Sequence, residues 1–140
     1  MDNPTPKQAC AVPVRVVGEQ VEFCLVADRR DSRWGFPRGE LSTDESPQQA
    51  AIRQAAEMAG LNCRLASQQP LDHFGTSRND RDGAITAFLL LVDDEADLSP
   101  DAEARRRWCL PEEARARIRR KPMRRLIDLA IRQIASANGR

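Results

Sequence analysis

The sequence predicts one α/β domain, and three observations predict it. Strand-like and helix-like segments alternate along the chain, an amphipathic stripe marks the last helix, and no repeat or linker divides the whole. At 140 residues the chain is long enough to enclose a core without disulfides or metals. Apolar residues at 41% and charged ones at 31% exclude the disordered and fibrous classes. Residues 1–140 are therefore read as a single domain, with residues 1–8 as a loose polar leader.

Cys10–Val17 is apolar and β-branched, and Val21–Ala27 alternates. Gly18-Glu19-Gln20 between them reads as a turn, so the pair predicts a hairpin. Pro13 inside the first run argues for an edge position or a bulge. A charged loop, Asp28–Arg33, leads into Trp34-Gly-Phe-Pro-Arg-Gly39. The helix that follows has Ser46 as N-cap, Pro47 at its first position and Gly60 as its stop. Residues 61–92 predict further strands, with the apolar run Ala84–Val92 central and Asn79–Gly83 a turn. Asp93–Ala104 reads as an acidic loop, Trp108-Cys-Leu as a short extended segment, and Pro111-Glu-Glu-Ala as the start of a short helix. Met123, Leu126, Ile127, Ala130, Ile131 and Ile134 give the last helix its apolar face.

The net charge of +1 conceals an asymmetry, since residues 1–100 hold 10 basic and 16 acidic residues and residues 101–140 hold 12 and 5. A basic tail suits a polyanion, but a solvated helix face is the commoner cause. The four cysteines are scattered and His73 is the only histidine, which argues against zinc. Cys10, Cys24 and Cys63 sit in apolar contexts and read as small core residues. No apolar run approaches the roughly 20 residues of a membrane helix, and no secretory signal is visible, so a cytoplasmic location is expected.

Gly39, Glu45, Arg53, Glu57, Gly60 and Leu61 fall in the register G-x5-E-x7-R-E-U-x-E-E-x-G-U, with Ala55 in the first aliphatic slot. Trp34-Gly-Phe-Pro-Arg-Gly39 matches the approach W-x-F-P-K-G. On these residues the chain resembles the Nudix hydrolases, and the box spans residues 39–61. The resemblance implies an α/β/α sandwich around a mixed β-sheet. It also implies hydrolysis of diphosphate bonds in a nucleoside diphosphate linked to another moiety. In that family three carboxylates on the box helix bind Mg²⁺ or Mn²⁺, helped by a backbone carbonyl at the Gly39 position.

Two box positions depart: Gln54 and Met58 stand where glutamates belong. At 100° per residue, Ala51, Ile52, Ala55 and Ala59 gather on one side of the helix, and Arg53, Gln54 and Glu57 on the other, facing a cleft. Glu57 is then the surviving metal ligand, Gly39 the carbonyl donor and Gln54 a weakened stand-in, an amide without charge. Met58 offers only a thioether, which hard cations do not favour. Glu45 and Arg53 resemble the family's structural pair. Compensating carboxylates are sought at Glu40, Asp44, Asp93, Asp94 and Glu95, against the commoner reading of solvated charges.

Arg29, Arg30, Arg33 and Arg38 are candidates to clamp substrate phosphates. His73 and Phe74 are candidates to stack on a base, set against a histidine with a merely structural hydrogen bond. Trp108 followed by Pro111-Glu-Glu-Ala is similar to the W-x-x-x-E-E-A segment of diadenosine- and diphosphoinositol-polyphosphate hydrolases. Two functions are carried forward: an impaired pyrophosphohydrolase, and an inactive module that binds a nucleotide or phosphate ligand. Nucleic-acid binding through Arg105–Arg107 and Arg115–Arg125 ranks last, and the sequence leaves the oligomeric state open, a homodimer included.

Overall fold

A computed structural model describes residues 7–27, 33–75 and 84–138. The strands are β1 (Lys7–Val17), β2 (Gln20–Ala27), β3 (Trp34–Gly35), β4 (Arg38–Glu40), β5 (Leu61–Leu65), β6 (Asp72–Gly75), β7 (Ala84–Glu95) and β8 (Arg106–Cys109). The helices are α1 (Pro47–Ala59), α2 (Pro100–Ala104), α3 (Pro111–Arg117) and α4 (Lys121–Asn138). All eight strands join one mixed sheet of order β3-β2-β1-β7-β5, to which β4, β6 and β8 add on β1, β7 and β2. β1 and β7 run parallel, and every other described pairing is antiparallel.

Alternation along β1 explains the layers, because successive side chains of a strand point to opposite faces. Cys10, Val12 and Val14 enter a cluster with Phe23, Leu25, Leu126 and Ile127, on the face covered by α3 and α4. Ala9 and Ala11 enter the other cluster, with Phe88, Leu90 and the alanines of α1. Ala50, Ala51, Ala55 and Ala59 are small, which lets α1 lie close on the sheet. The result is the predicted α/β/α sandwich. The stripe of α4 is also as expected, with Met123, Leu126, Ile127 and Ala130 buried and Ile131 and Ile134 packed at its margin.

Several expectations need correction. Pro13 is at no edge, since β1 lies between β2 and β7. Its antiparallel partner changes there, from β4 at Gln8–Cys10 to β2 at Val14–Val17. Ala11 N–H points to the β4 side, donating to Pro37 O at 2.8 Å. N–H directions alternate, so position 13 aims its missing donor the same way, at the gap between two partners. The leader is shorter than expected, because Lys7 and Gln8 already pair with Ala84 and Ile85. Asp93–Glu95 are not loop, since β7 runs on through them against Leu61 and Asn62 of β5. Ser99 then caps α2 by accepting from Ala102 N–H, so the Ser99-Pro100 pair starts a short helix. The predicted turn Asn79–Gly83 lies outside the described residues, as does most of the Asp28–Arg33 loop.

All four cysteines are buried and free. Burial pushes the Cys10 and Cys24 thiols up to about 12 and Cys63 to about 11, which keeps them protonated and unreactive.

Candidate functional site

The segment from Gly39 to Leu61 is built as a strap and a helix. Ser46 caps α1 reciprocally: its hydroxyl accepts from Gln49 N–H at 3.1 Å, and Gln49 Oε1 accepts from Ser46 N–H at 3.0 Å. At the other end Gly60 adopts φ 66°, a left-handed conformation that favours glycine. Arg53 ties the strap to the helix. Its Nε and Nη2 donate to both oxygens of Glu45 at 2.8 and 2.9 Å, and Nη2 also donates to Glu40 O at 3.0 Å. The guanidinium, aided by Ser42 N–H, holds the Glu45 carboxyl at about 2, and Arg53 is shifted upward in turn.

A cleft of about 1280 Å³ opens beside this helix. It is lined by Gly39, Glu40, Glu57 and Met58 of the strap and helix, and by Arg33, Trp34 and Arg38 from β3, β4 and the residue before them. The lining also includes residues from later in the chain, with Arg105 after α2 and Arg117, Arg119 and Arg120 from α3 and the joint to α4. Among the described lining residues, six arginines stand against two glutamates. Arg117 lies over the Trp34 ring, its guanidinium carbon 5.8 Å from the ring centre. Behind the cleft, Arg106 donates from Nη1 to Ala59 O at 2.9 Å, binding the last turn of α1 to β8.

A model of the NUDIX domain matches residues 6–130. The chain belongs to the NUDIX domain family. Among curated proteins it is 35% identical to Nudix hydrolase 4 of Arabidopsis thaliana over 98 residues, covering 68% of this chain and 46% of that one. It is 27% identical to Nudix hydrolase 17, mitochondrial, of the same plant, covering 86% and 66%. The chain thus spans about half to two thirds of the length of these relatives. Among solved structures, the C. elegans Ap4A hydrolase superposes with a TM-score of 0.80 at 20% identity, covering 94% of this chain and 99% of that one. The NUDIX domain of Shewanella oneidensis NrtR, complexed with ADP ribose, gives 0.67 at 18%, covering 95% and 90%. At such identities these two show the fold.

Within this NUDIX domain the box residues 54, 57 and 58 are placed differently from the sequence expectation. Gln54 was expected on the cleft face beside Arg53 and Glu57, but it is only 9% exposed and does not line the cleft. It follows fully buried Ala50 by one turn, and its amide is tucked against Gly39, where a Cβ would lie 2.3 Å from Nε2. The absent side chain of Gly39 is what makes room. Met58, not Gln54, lines the cleft, and it is 43% exposed. Glu57 faces the cleft but is engaged by Arg53 Nη1 at 3.1 and 3.3 Å. The donors therefore do not fit the three-carboxylate site of a hard divalent ion: one carboxylate is paired, one amide is buried and one sulfur is soft. No group of three or more His, Cys, Asp or Glu side chains among the described residues could hold a metal.

The other candidates divide. Arg33, Arg38 and Glu40 line the cleft, and Arg29 and Arg30 lie outside the described residues. His73 is on β6, outside the cleft lining, with Nδ1 2.8 Å from Thr86 Oγ1, and Phe74 packs on the core. Asp93 pairs with Arg64. Glu95 accepts from Trp108 Nε1 at 3.0 Å and Arg15 Nη1 at 3.0 Å, with Arg106 near. Neither these two nor Asp44 and Asp94 line the cleft. Sequence reasoning missed Arg105, Arg117, Arg119 and Arg120 as cleft residues. Their signal is the basic excess after residue 100, for which a solvated helix face is the commoner explanation.

Proposed function

We propose that this NUDIX domain binds a nucleoside diphosphate linked to a second moiety and hydrolyses it weakly, as an impaired pyrophosphohydrolase. The observation that carries the reading is that the box helix and the arginine-lined cleft share a wall, at Gly39, Glu40, Glu57 and Met58. At about 1280 Å³ the cleft exceeds the roughly 300–1,000 Å³ usual for ligand pockets, which leaves room for a ligand of two moieties. Trp34 offers an aromatic ring and the arginines offer forks for phosphate oxygens. Guanidinium groups set in advance also offset charge that develops on phosphoryl oxygens during hydrolysis. Without two of the three carboxylates, turnover falls by several powers of ten, each charged contact being worth about 1.5–3 kcal/mol. The relatives and structural neighbours agree in kind: Nudix hydrolases, an Ap4A hydrolase and a domain complexed with ADP ribose. A panel of dinucleoside polyphosphates, nucleotide sugars and diphosphoinositols, assayed with Mg²⁺ and Mn²⁺, tests the reading. Slow release of a phosphorylated product supports it, and no release from any compound sinks it.

A second reading is a module that binds such a ligand and returns it intact. The burial of Gln54 and the pairing of Glu57 favour it. Calorimetry with recovery of the ligand separates the two. The proposal also takes residues 1–140 as one domain in the cytoplasm, and sedimentation would establish whether it dimerises.

A further inference from the structure

The outer face of α4 carries a row of cations that the fold leaves largely unneutralised. Residues 115–132 hold eight basic residues and one acidic one, although the whole chain nets only +1. At 100° per residue, Lys121, Arg124, Arg125 and Arg132 share an arc of about 100°. That arc lies opposite Met123, Leu126, Ile127 and Ala130, which are buried in the core. Lys121, Arg125 and Arg132 are exposed, and Arg124 is half-buried. We propose that this row binds duplex DNA through its phosphate backbone, without reading sequence. The surface is separate from the cleft, whose lining contains none of these four residues.

A helix face that is merely solvated commonly alternates its charges, so that opposite signs one turn apart pair. This one does not. Asp128, the one acid in α4, accepts from Arg115 of α3 at 2.6 Å and is neutralised from off the helix. Arg125 has Asp72 at 3.7 Å, a loose contact for a side chain 69% exposed. Lys121, Arg124 and Arg132 have no ion-pair partner among the described residues. Lys121 and Arg124 also stand in the first turn of α4, which has no acidic residue, and there the helix dipole opposes positive charge. Lys121 and Arg125 are like charges one turn apart, which repel. The row therefore lowers the stability of the free protein, and a bound polyanion relieves it.

The chemistry of the row narrows the partner. Among the described residues the exposed large hydrophobics are Val16, Val17 and Met58, none of them on α4. A protein interface has an apolar centre and a membrane-surface helix has an apolar face, but the apolar face of α4 is taken up by the core. Single strands are held by bases stacked on aromatic rings, and α4 has no aromatic residue. A duplex needs only phosphate contacts. Lys121 to Arg132 extends about 16 Å along the helix, enough to meet several phosphates. Its convex outer face suits the major groove of B-form DNA, about 12 Å wide, with the cations reaching the phosphates at the rims. The deep, narrow major groove of duplex RNA shuts such a face out.

The test is fluorescence anisotropy of a labelled DNA duplex of about 20 base pairs with the full chain, from 50 to 200 mM KCl. Affinity is expected to fall roughly 40- to 150-fold over that range, the response of three to four neutralised phosphates. A Lys121→Ala, Arg124→Ala, Arg132→Ala variant, shown to be folded by its unfolding midpoint, is expected to bind roughly tenfold weaker or more at 50 mM, with a flatter salt slope. If that variant does not fold, Arg132→Ala takes its place, with the slope reduced by about one. Arg124→Lys with Arg132→Lys keeps the charge and is expected to keep the binding. Equal or tighter binding of an RNA duplex, a single strand or phosphatidylserine vesicles overturns the assignment to duplex DNA. Binding that ignores salt or the alanine variants overturns it as well, and so does absence of binding by the folded chain at 50 mM. None of these outcomes bears on the function proposed for the cleft.

Discussion

Arg53 meets Glu45 along two parallel edges, Nε to Oε2 at 2.8 Å and Nη2 to Oε1 at 2.9 Å. A lysine cannot reproduce this fork, because its ammonium is a point donor. Arg53→Lys is therefore expected to lower the unfolding midpoint despite conserving charge, and Glu45→Gln to do the same. Thermal melts of both variants at pH 7 check this, and unchanged midpoints would mean that the strap is held by other contacts.

The same pair predicts an acid response. Glu45 falls from its ordinary 4.5 to about 2 on folding, so the folded protein binds its proton less readily than the unfolded chain. Its contribution to stability is complete above pH 4.5 and is lost as pH falls through that value toward 2. Melts of the natural chain and of Glu45→Gln should converge as pH drops from 6 to 2.5. A gap that stays constant would show that Glu45 is not the group responsible.

Restoring the box tests the chemistry directly. A Gln54→Glu, Met58→Glu variant is expected to gain Mg²⁺- or Mn²⁺-dependent turnover, roughly a hundredfold or more if two charged contacts return. Because Gln54 is buried, the new carboxylate at 54 costs stability until a cation covers it. The midpoint should fall in EDTA and recover with Mn²⁺. A variant that melts identically in both holds no metal, and the cleft has then been repurposed beyond its box.

Gly39 and Gln54 should prove coupled. A methyl at position 39 would meet Gln54 Nε2 at 2.3 Å, so Gly39→Ala has to displace the amide. The expected cost is about 1–3 kcal/mol. Combined with Gln54→Ala the cost should shrink, leaving a coupling of about 0.5–3 kcal/mol in a double-mutant cycle by denaturant titration. Simple additivity would mean that the amide swings aside freely.

Leu126 is fully buried where α4 covers the sheet. Leu126→Ala is expected to destabilise by about 2–5 kcal/mol in the same titration, without touching the cleft wall.

What the sequence disclosed was mostly local. The caps Ser46 and Gly60, the Glu45–Arg53 spacing and the stripe of α4 depend on neighbours within a turn or a short strap, and periodicity displays such neighbours. Pro13 misled because its meaning depends on where β1 exchanges β4 for β2, a tertiary fact. Gln54 misled by a small angle, since one helical turn from Ala50 sufficed to bury it once Gly39 gave it space. Arg117, Arg119 and Arg120 are about 80 residues from Arg33 and Arg38, and only the folding of α3 against the sheet makes them one site.

The hydrogen bond from Arg106 to Ala59 O has a mechanical consequence. β8 is zipped to β2 from Arg106 to Cys109, and Leu110 alone separates it from α3, which presents Arg117. The box helix and the arginine bank are therefore set at a fixed gauge, like the jaws of a caliper locked by one screw.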